Sequence, residues 1–280
     1  MRVLWEPVSE VRDLAPDEVH VWCADLDVLS EATFDLALSP DERARGERFR
    51  FARDRRRFSI SRGLLRHLLG RYAHVPPAAL RFGYGHRGKP FLPGDDGLRF
   101  NVSHSGGLAL LAFARDRELG VDVERERSVP EACDIARRYF SRREETALVS
   151  LPEGERTKAF FRCWTRKEAV VKAQGDGLAQ PLDAFDVTLA PGEPARLLFV
   201  RGEALPRFWL EDVPPAPGFA GALAVGGRPA RVVRRAWRES MEVSHGSRRF
   251  GRHDDLQGGP EPRGAVLDLA GGPGEPARLA

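Results

Sequence analysis

The chain has 280 residues, 42% hydrophobic and 30% charged, a composition that excludes fibrous, collagen-like and membrane-embedded classes and fits a soluble globular protein. Its 44 basic and 41 acidic side chains leave a net charge of only +3, so anion binding has to come from local clusters and not from a global field. Three scattered cysteines, Cys23, Cys133 and Cys163, form no CxxC pair, which argues against structural zinc and for a reducing, cytoplasmic setting. The first 18 residues lack the apolar run of a secretory signal, and no segment is apolar over a bilayer's width.

In chain order, the partial alternation of residues 18–25 predicts a half-buried strand. Ser39, Pro40, Asp41 and Glu42 then read as a helix start, with a capping serine, proline at the first helical position and acids at the positive dipole end. In the Arg-rich helix that follows, Phe58, Leu65, Leu68, Leu69 and Tyr72 share one face, and Arg55, Arg56, Arg62 and Arg66 fall elsewhere on the wheel. Pro76 and Pro77 stop it. Leu80, Phe82 and Tyr84 alternate as a strand that enters a glycine-rich turn through Gly85, Gly88, Lys89 and Pro90. Short strands are predicted over 99–103, 108–113 and 119–124.

In the second half, Ser141 and Glu144 have the spacing of a capping box. A longer helix is expected over 155–174 with Gly175 as its left-handed cap, followed by strands over 185–189, 196–200, 207–210 and 219–225. Helices and antiparallel-looking strands in both halves give an α+β class, divided into an N-terminal half (1–118) and a C-terminal half (119–238). Residues 239–280 are rich in Gly, Pro and Arg without periodicity, the pattern of a disordered tail.

Four groups of residues have chemical potential. Asp122 and Glu124 are two apart on a strand, which puts both carboxylates on one face about 7 Å apart at their bases and suits a hard cation such as Mg²⁺; solvated strand residues would look the same. Glu168 and Lys172 are helical neighbours four apart, a pair worth only about 0.2–0.5 kcal/mol as a surface stabiliser. A third carboxylate and a phosphate-facing lysine are the alternative reading. Ser103 and His104 end a strand at a glycine turn and could clasp a phosphate, although a histidine in a turn is more often structural. Arginines including Arg45, Arg50, Arg53 and Arg57 offer forked donors for phosphate, but interleaved acids and the lack of aromatic RNA-binding signatures count against a nucleic-acid surface.

Taken in order, Gly88-Lys89-Pro90, Asn101-Val102-Ser103-His104, Gly120-Val121-Asp122-Val123-Glu124 and the stretch from Trp164 through Lys167 and Glu168 to Lys172 resemble the 4′-phosphopantetheinyl transferase superfamily. The resemblance is to its surfactin-synthetase type, which carries both halves in one chain, and it covers about residues 39–189. Thr165, where that family often has Ser or Cys, is a mild departure.

The resemblance implies a pseudodimer of two similar α+β halves, each with a small antiparallel sheet packed on helices, and coenzyme A in the cleft between them. It implies Asp122, Glu124 and Glu168 around Mg²⁺, with Lys172 on the phosphates of coenzyme A. Ser103 and His104 would lie near the 3′-phosphate, and Arg45, Arg57, Gly88 and Lys89 around the adenine nucleotide. Glu168 is the candidate base, with Glu124 or a metal-bound water as the alternative. The implied partner is an apo acyl or peptidyl carrier protein of secondary metabolism, polyketide or nonribosomal-peptide biosynthesis included, met by a monomeric cytoplasmic enzyme without nucleic-acid or membrane partners. Two rival readings of the same residues are a metal-dependent nucleotide phosphohydrolase and an Arg-rich nucleic-acid-binding module.

Overall fold

The computed structural model describes residues 5–7, 11–85, 88–94, 97–175, 181–202 and 207–238; the tail predicted over 239–280 lies outside them. The elements, in chain order, are β1 (Glu6–Pro7), β2 (Glu18–Asp25), α1 (Glu31–Asp35), α2 (Pro40–Glu47), α3 (Ala52–Ala73), β3 (Gly83–Tyr84), β4 (Pro90–Phe91), β5 (Leu98–Ser105), β6 (Leu108–Arg115) and β7 (Leu119–Arg125), then α4 (Ala132–Tyr139), α5 (Arg142–Val149), α6 (Glu153–Gln174), β8 (Phe185–Val187), β9 (Leu197–Val200), β10 (Phe208–Asp212), β11 (Phe219–Gly226) and β12 (Arg231–Ala236).

Strand alternation sorts the core into layers. On β2, Val19 and Val21 join Leu110, Ala112, Val121, Val123, Leu223 and Val225 in one apolar cluster between two sheets, while Trp22 faces a second cluster with Leu64, Leu65, Leu68, Leu69 and Tyr72 of α3. On the far side, Ala169, Val170 and Ala173 of α6 close a third cluster with Ala222 and Ala224 of β11. The result is helix, sheet, sheet, helix, an α+β architecture in which small sheets lie on helices. The first sheet has the order β1-β12-β2-β6-β5 and the second β10-β11-β7, with β3-β4 and β8-β9 as separate pairs.

Most sequence-predicted elements are present, and the exceptions have physical reasons. The first sheet is not purely antiparallel, because β12 runs parallel to both β1 and β2. β12 was hidden by its arginines: Arg235 is buried with its guanidinium over the Trp22 ring at 5.6 Å, a stem-on-aromatic packing that hydrophobic patterning does not register. The long Arg-rich helix is two helices. Phe49 turns in against Phe58, with ring centroids 5.2 Å apart, and Phe51 at the start of α3 is extended (φ −105°, ψ 133°). Only Gly83–Tyr84 of the strand expected over 80–84 forms. α1 and α4, too short to announce a period, were not expected.

Arg66, assigned to the polar side of α3, is buried instead. Its guanidinium donates to Glu42 Oε2 at 2.6 Å and to the carbonyls of Pro77 and Leu80 at 3.0 and 3.1 Å. At the end of α6, Gly175 takes a positive φ (61°) but with ψ −132°, outside the left-handed helical region expected of it. The capping box at Ser141 is present with both bonds. Among the described residues no helix is long and apolar enough to cross a membrane.

Candidate active site

β7 is the edge of the second sheet, paired on one side only, with β11. Its other side carries N–H groups that need acceptors, and the side chains of β5 supply them. Val121 N donates to Asn101 Oδ1 at 2.9 Å, Val123 N to Ser103 Oγ at 3.3 Å and Arg125 N to Ser105 Oγ at 3.1 Å. Polar residues at every second position of β5 therefore dock one sheet edge onto the other.

The face of β7 turned to α6 carries Gly120, Asp122 and Glu124. A β-carbon at Gly120 would run into the backbone of Ala169 and Ala173, so glycine is what lets α6 lie directly on the strand. That close approach brings Lys172 over Asp122: Lys172 Nζ donates to Asp122 Oδ1 at 2.6 Å and to Ser103 Oγ at 3.0 Å. Ser103 in turn donates to Asp122 Oδ1 at 2.9 Å, which fills its one donor and two acceptor positions. The phosphate expected on Ser103 thus competes with three existing partners. Asp122 is buried, and its second oxygen, Oδ2, has no hydrogen-bond partner.

One step along, Ser105 Oγ donates to Glu124 Oε2 at 2.8 Å. The Glu124 carboxyl is pushed up to about 7, first by burial and then by the charge of Asp122, against the opposing pull of Ser105, Lys172 and Arg127. Glu168 stands one helical turn before Lys172 on α6, partly buried. The structure does not gather the three carboxylates into one ligand set: among the described residues no three His, Cys, Asp or Glu side chains stand where they would hold a metal. Hard oxygen donors at Asp122 and Glu124 and the unpartnered buried Oδ2 nevertheless fit a divalent cation, since such an oxygen is costly to leave unmatched.

The remaining candidates flank this centre. Lys89 reaches the opening of β7, with Nζ 3.3 Å from the Leu119 carbonyl, 3.4 Å from that of Ala173 and 3.4 Å from Glu118 Oε2. Gly88 before it has φ 77°, which allows the turn that delivers the lysine. At the other end, the two-residue turn Gly106–Gly107 has positive φ at both positions, as a tight hairpin demands. A β-carbon at Gly107 would meet Asp27 Oδ2 and Arg57 Nη2 at 2.5 and 3.1 Å, so Arg57 stands beside this turn. It forks onto Asp27 at 2.8 and 2.6 Å, and holds the Asp27 carboxyl below its ordinary range. His104 alternates with Ser103 along β5 and so lies on the strand's opposite face. Arg45 on α2 spreads over the Phe58 ring at 5.5 Å.

The two conspicuous cations beside Glu168 are structural. Arg166 is fully buried, forked onto Asp212 at 2.9 and 2.5 Å. Lys167, also fully buried, donates to Glu144 at 2.7 Å and to the carbonyls of Leu182 and Phe185 at 2.6 Å each. Ser105, which touches Glu124, was missed as a site residue, and Asn101 was missed as a contact between the sheets. The signal was there in small polar residues at 101, 103 and 105, a period of two along one strand.

A profile described as the 4′-phosphopantetheinyl transferase superfamily matches residues 118–224, and one described as the N-terminal part of a 4′-phosphopantetheinyl transferase matches residues 28–115. The 4′-phosphopantetheinyl transferase HetI of Nostoc sp. is 42% identical over 228 residues, which is 80% of this chain and 94% of that one. The chain belongs to the 4′-phosphopantetheinyl transferase superfamily. Within it, the transferase Sfp of Bacillus subtilis is 34% identical over 152 residues, 54% of this chain and 66% of its own. The human L-aminoadipate-semialdehyde dehydrogenase-phosphopantetheinyl transferase is 31% identical over 166 residues, 55% of this chain and 54% of its own. The seam between β5, β7 and α6 falls within the two matched regions of this superfamily.

Proposed function

We propose that this transferase moves the 4′-phosphopantetheine moiety of coenzyme A onto a serine of an apo acyl or peptidyl carrier protein, in a Mg²⁺-dependent reaction that releases adenosine 3′,5′-bisphosphate. The observation that carries the reading is the Lys172–Asp122–Ser103 cluster at the seam of the two sheets, with one Asp122 oxygen buried and unmatched. Asp122 and Glu124 would hold the cation, with Glu168 joining them from α6. The chemistry a bound Mg²⁺ supplies is neutralisation of charge growing on the leaving phosphate.

Lys172, which donates to Asp122, would also be placed to offer its ammonium to a phosphate oxygen and so set a positive charge against the phosphates. Glu168 is the candidate to take the serine proton, with Glu124 as the alternative, because a base needs a carboxylate within hydrogen-bond reach. Lys89 and Gly88 at one end of β7, and Arg57, Arg45 and His104 toward the other, would bracket the nucleotide. We also propose the division near residue 118 into two halves, and a monomer working in the cytoplasm.

The test is incubation with Mg²⁺, coenzyme A and an apo-carrier protein, read by intact mass. A gain of one phosphopantetheine on the carrier, lost on chelation, is the expected result. Coenzyme A cleavage without a carrier would favour the phosphohydrolase, and salt-sensitive RNA or DNA binding indifferent to coenzyme A the basic binding module.

A further inference from the structure

The three side chains of β5 that dock β7 are not equivalent. Asn101 accepts the Val121 N–H opposite Gly120, a residue with no side chain to hold. Ser103 and Ser105 repeat one device. Each hydroxyl oxygen accepts a β7 N–H, from Val123 and Arg125, and each hydroxyl proton goes to the carboxylate one residue earlier, at 2.9 Å on Asp122 and 2.8 Å on Glu124. The partners decide the direction: the backbone N–H can only donate and an ionised carboxylate can only accept, so each hydroxyl takes the N–H on its oxygen and turns its proton toward the acid.

We propose that Ser105 is a positioning residue for the cation site, holding Glu124 through this bond so that its carboxylate stands ready beside Asp122. The inference rests on the reading of Asp122 and Glu124 as cation ligands. Among the described residues Ser105 is the one hydrogen-bond donor to the Glu124 carboxylate, whereas Asp122 has both Ser103 and Lys172. Glu124 therefore depends on one hydroxyl, and partners that orient a ligand typically govern metal affinity by about 10–100-fold.

Binding of Mn²⁺ alone, followed by electron paramagnetic resonance on the full chain without coenzyme A or carrier, tests this directly. Ser105→Ala should weaken Mn²⁺ binding by about 10–100-fold, and Ser105→Thr, which keeps the hydroxyl, should restore it. Asn101→Ala removes a rung with no carboxylate, and should lower the melting temperature while leaving Mn²⁺ affinity at the wild-type level. Wild-type affinity in Ser105→Ala, or an equal loss in Asn101→Ala, overturns the proposal, since the ladder would then be structural alone. If Ser105→Ala does not fold, Ser105→Cys takes its place: the thiol donates weakly, so reduced affinity supports the proposal and unchanged affinity overturns it. Absence of Mn²⁺ binding in the wild-type chain would instead remove the cation reading on which the inference stands.

Discussion

α3 and α6 are both 22 residues long, and at the same depth, Ala52 to Arg66 and Glu153 to Lys167, each buries a cation against a glutamate from a preceding helix start. Glu42 and Glu144 both also accept the backbone N–H of their capping serine, Ser39 and Ser141, at 2.9 Å. The two helices differ on the side that faces their sheets. Beneath α3, β2 presents His20 and Trp22, tied to Tyr72 by bonds of 2.8 and 2.9 Å, and His67 lies edge-on to Phe34 with ring centroids 5.6 Å apart. Beneath α6, β7 presents Gly120, Asp122 and Glu124, and the residues one and five after the anchor are Glu168 and Lys172. One anchoring device thus supports an aromatic core in one half and a charged, partly open face in the other. A buried ion pair that fixes a helix leaves the neighbouring face free to carry groups that do not stabilise it.

The sharpest way to break this comparison is by activity. Asp122→Ala and Glu168→Ala should each lower carrier modification by about 10³-fold with the fold intact by circular dichroism. His67→Ala, at the position in α3 that matches Glu168, should leave turnover at the wild-type level. A comparable loss there would erase the distinction between the two faces.

The anchors come next. Lys167→Met leaves Glu144 buried without a cation and should cost about 3–5 kcal/mol in denaturant unfolding, recovered in part by adding Glu144→Gln. Arg66→Met should cost less, because Arg62 still bonds Glu42 at 2.5 Å.

The aromatic face has its own signature in pH. His20 is buried and its imidazole is pushed down from 6.5 to about 4 by burial first and by the charge of Arg235 second. Glu18, 3.1 Å from its Nε2, would favour the charged ring, but Arg231 already pairs with that carboxylate. Between pH 6.5 and 4 the unfolded chain takes up a proton at this residue and the folded chain does not. The stability that His20 contributes is therefore complete above pH 6.5 and falls as the pH drops toward 4, by on the order of 3 kcal/mol. His20→Gln should flatten that part of the stability-against-pH curve.

The smallest effect compares two glycines. A β-carbon at Gly63 would meet Phe34, and one at Gly120 the backbone of α6. Alanine at either should cost about 1–3 kcal/mol from overpacking, but only Gly120→Ala should also reduce turnover, by lifting Lys172 away from Asp122.

The sequence was most readable where a period and a stop coincide. Residues 18–25 became β2 with the expected bounds, although the strand is buried on both faces and not on one, and Ser141 with Glu144 opened α5, because alternation and capping are local. Asp122, Glu124, Glu168 and Lys172 were singled out through order and spacing, whereas the contact of Lys172 with Asp122 was not, because that lysine was expected on a phosphate. What escaped was long-range. Arg66 is buried only because Glu42 and two carbonyls wait for it, and Lys167 only because Glu144 does, so neither burial follows from the residue's own neighbourhood. Asn101 and Ser105 belonged to a visible pattern, yet their task depends on an unpaired edge of β7 that no local reading reveals. The convergence of Glu168 with the other two acids was the expectation carried furthest beyond the residues, and the side chains as placed do not form that set.

The position of β12 has a consequence for biosynthesis. It inserts between β1 and β2 in the first sheet, yet it is translated after every element of the second sheet and after α6. While a ribosome is still making residues 119–226, the nascent first half keeps β2 with one flank open to solvent, and the tryptophan beneath Arg235 lacks its cover. The first sheet therefore cannot reach its full strand order until residues 231–236 have been made, after every strand of the second sheet.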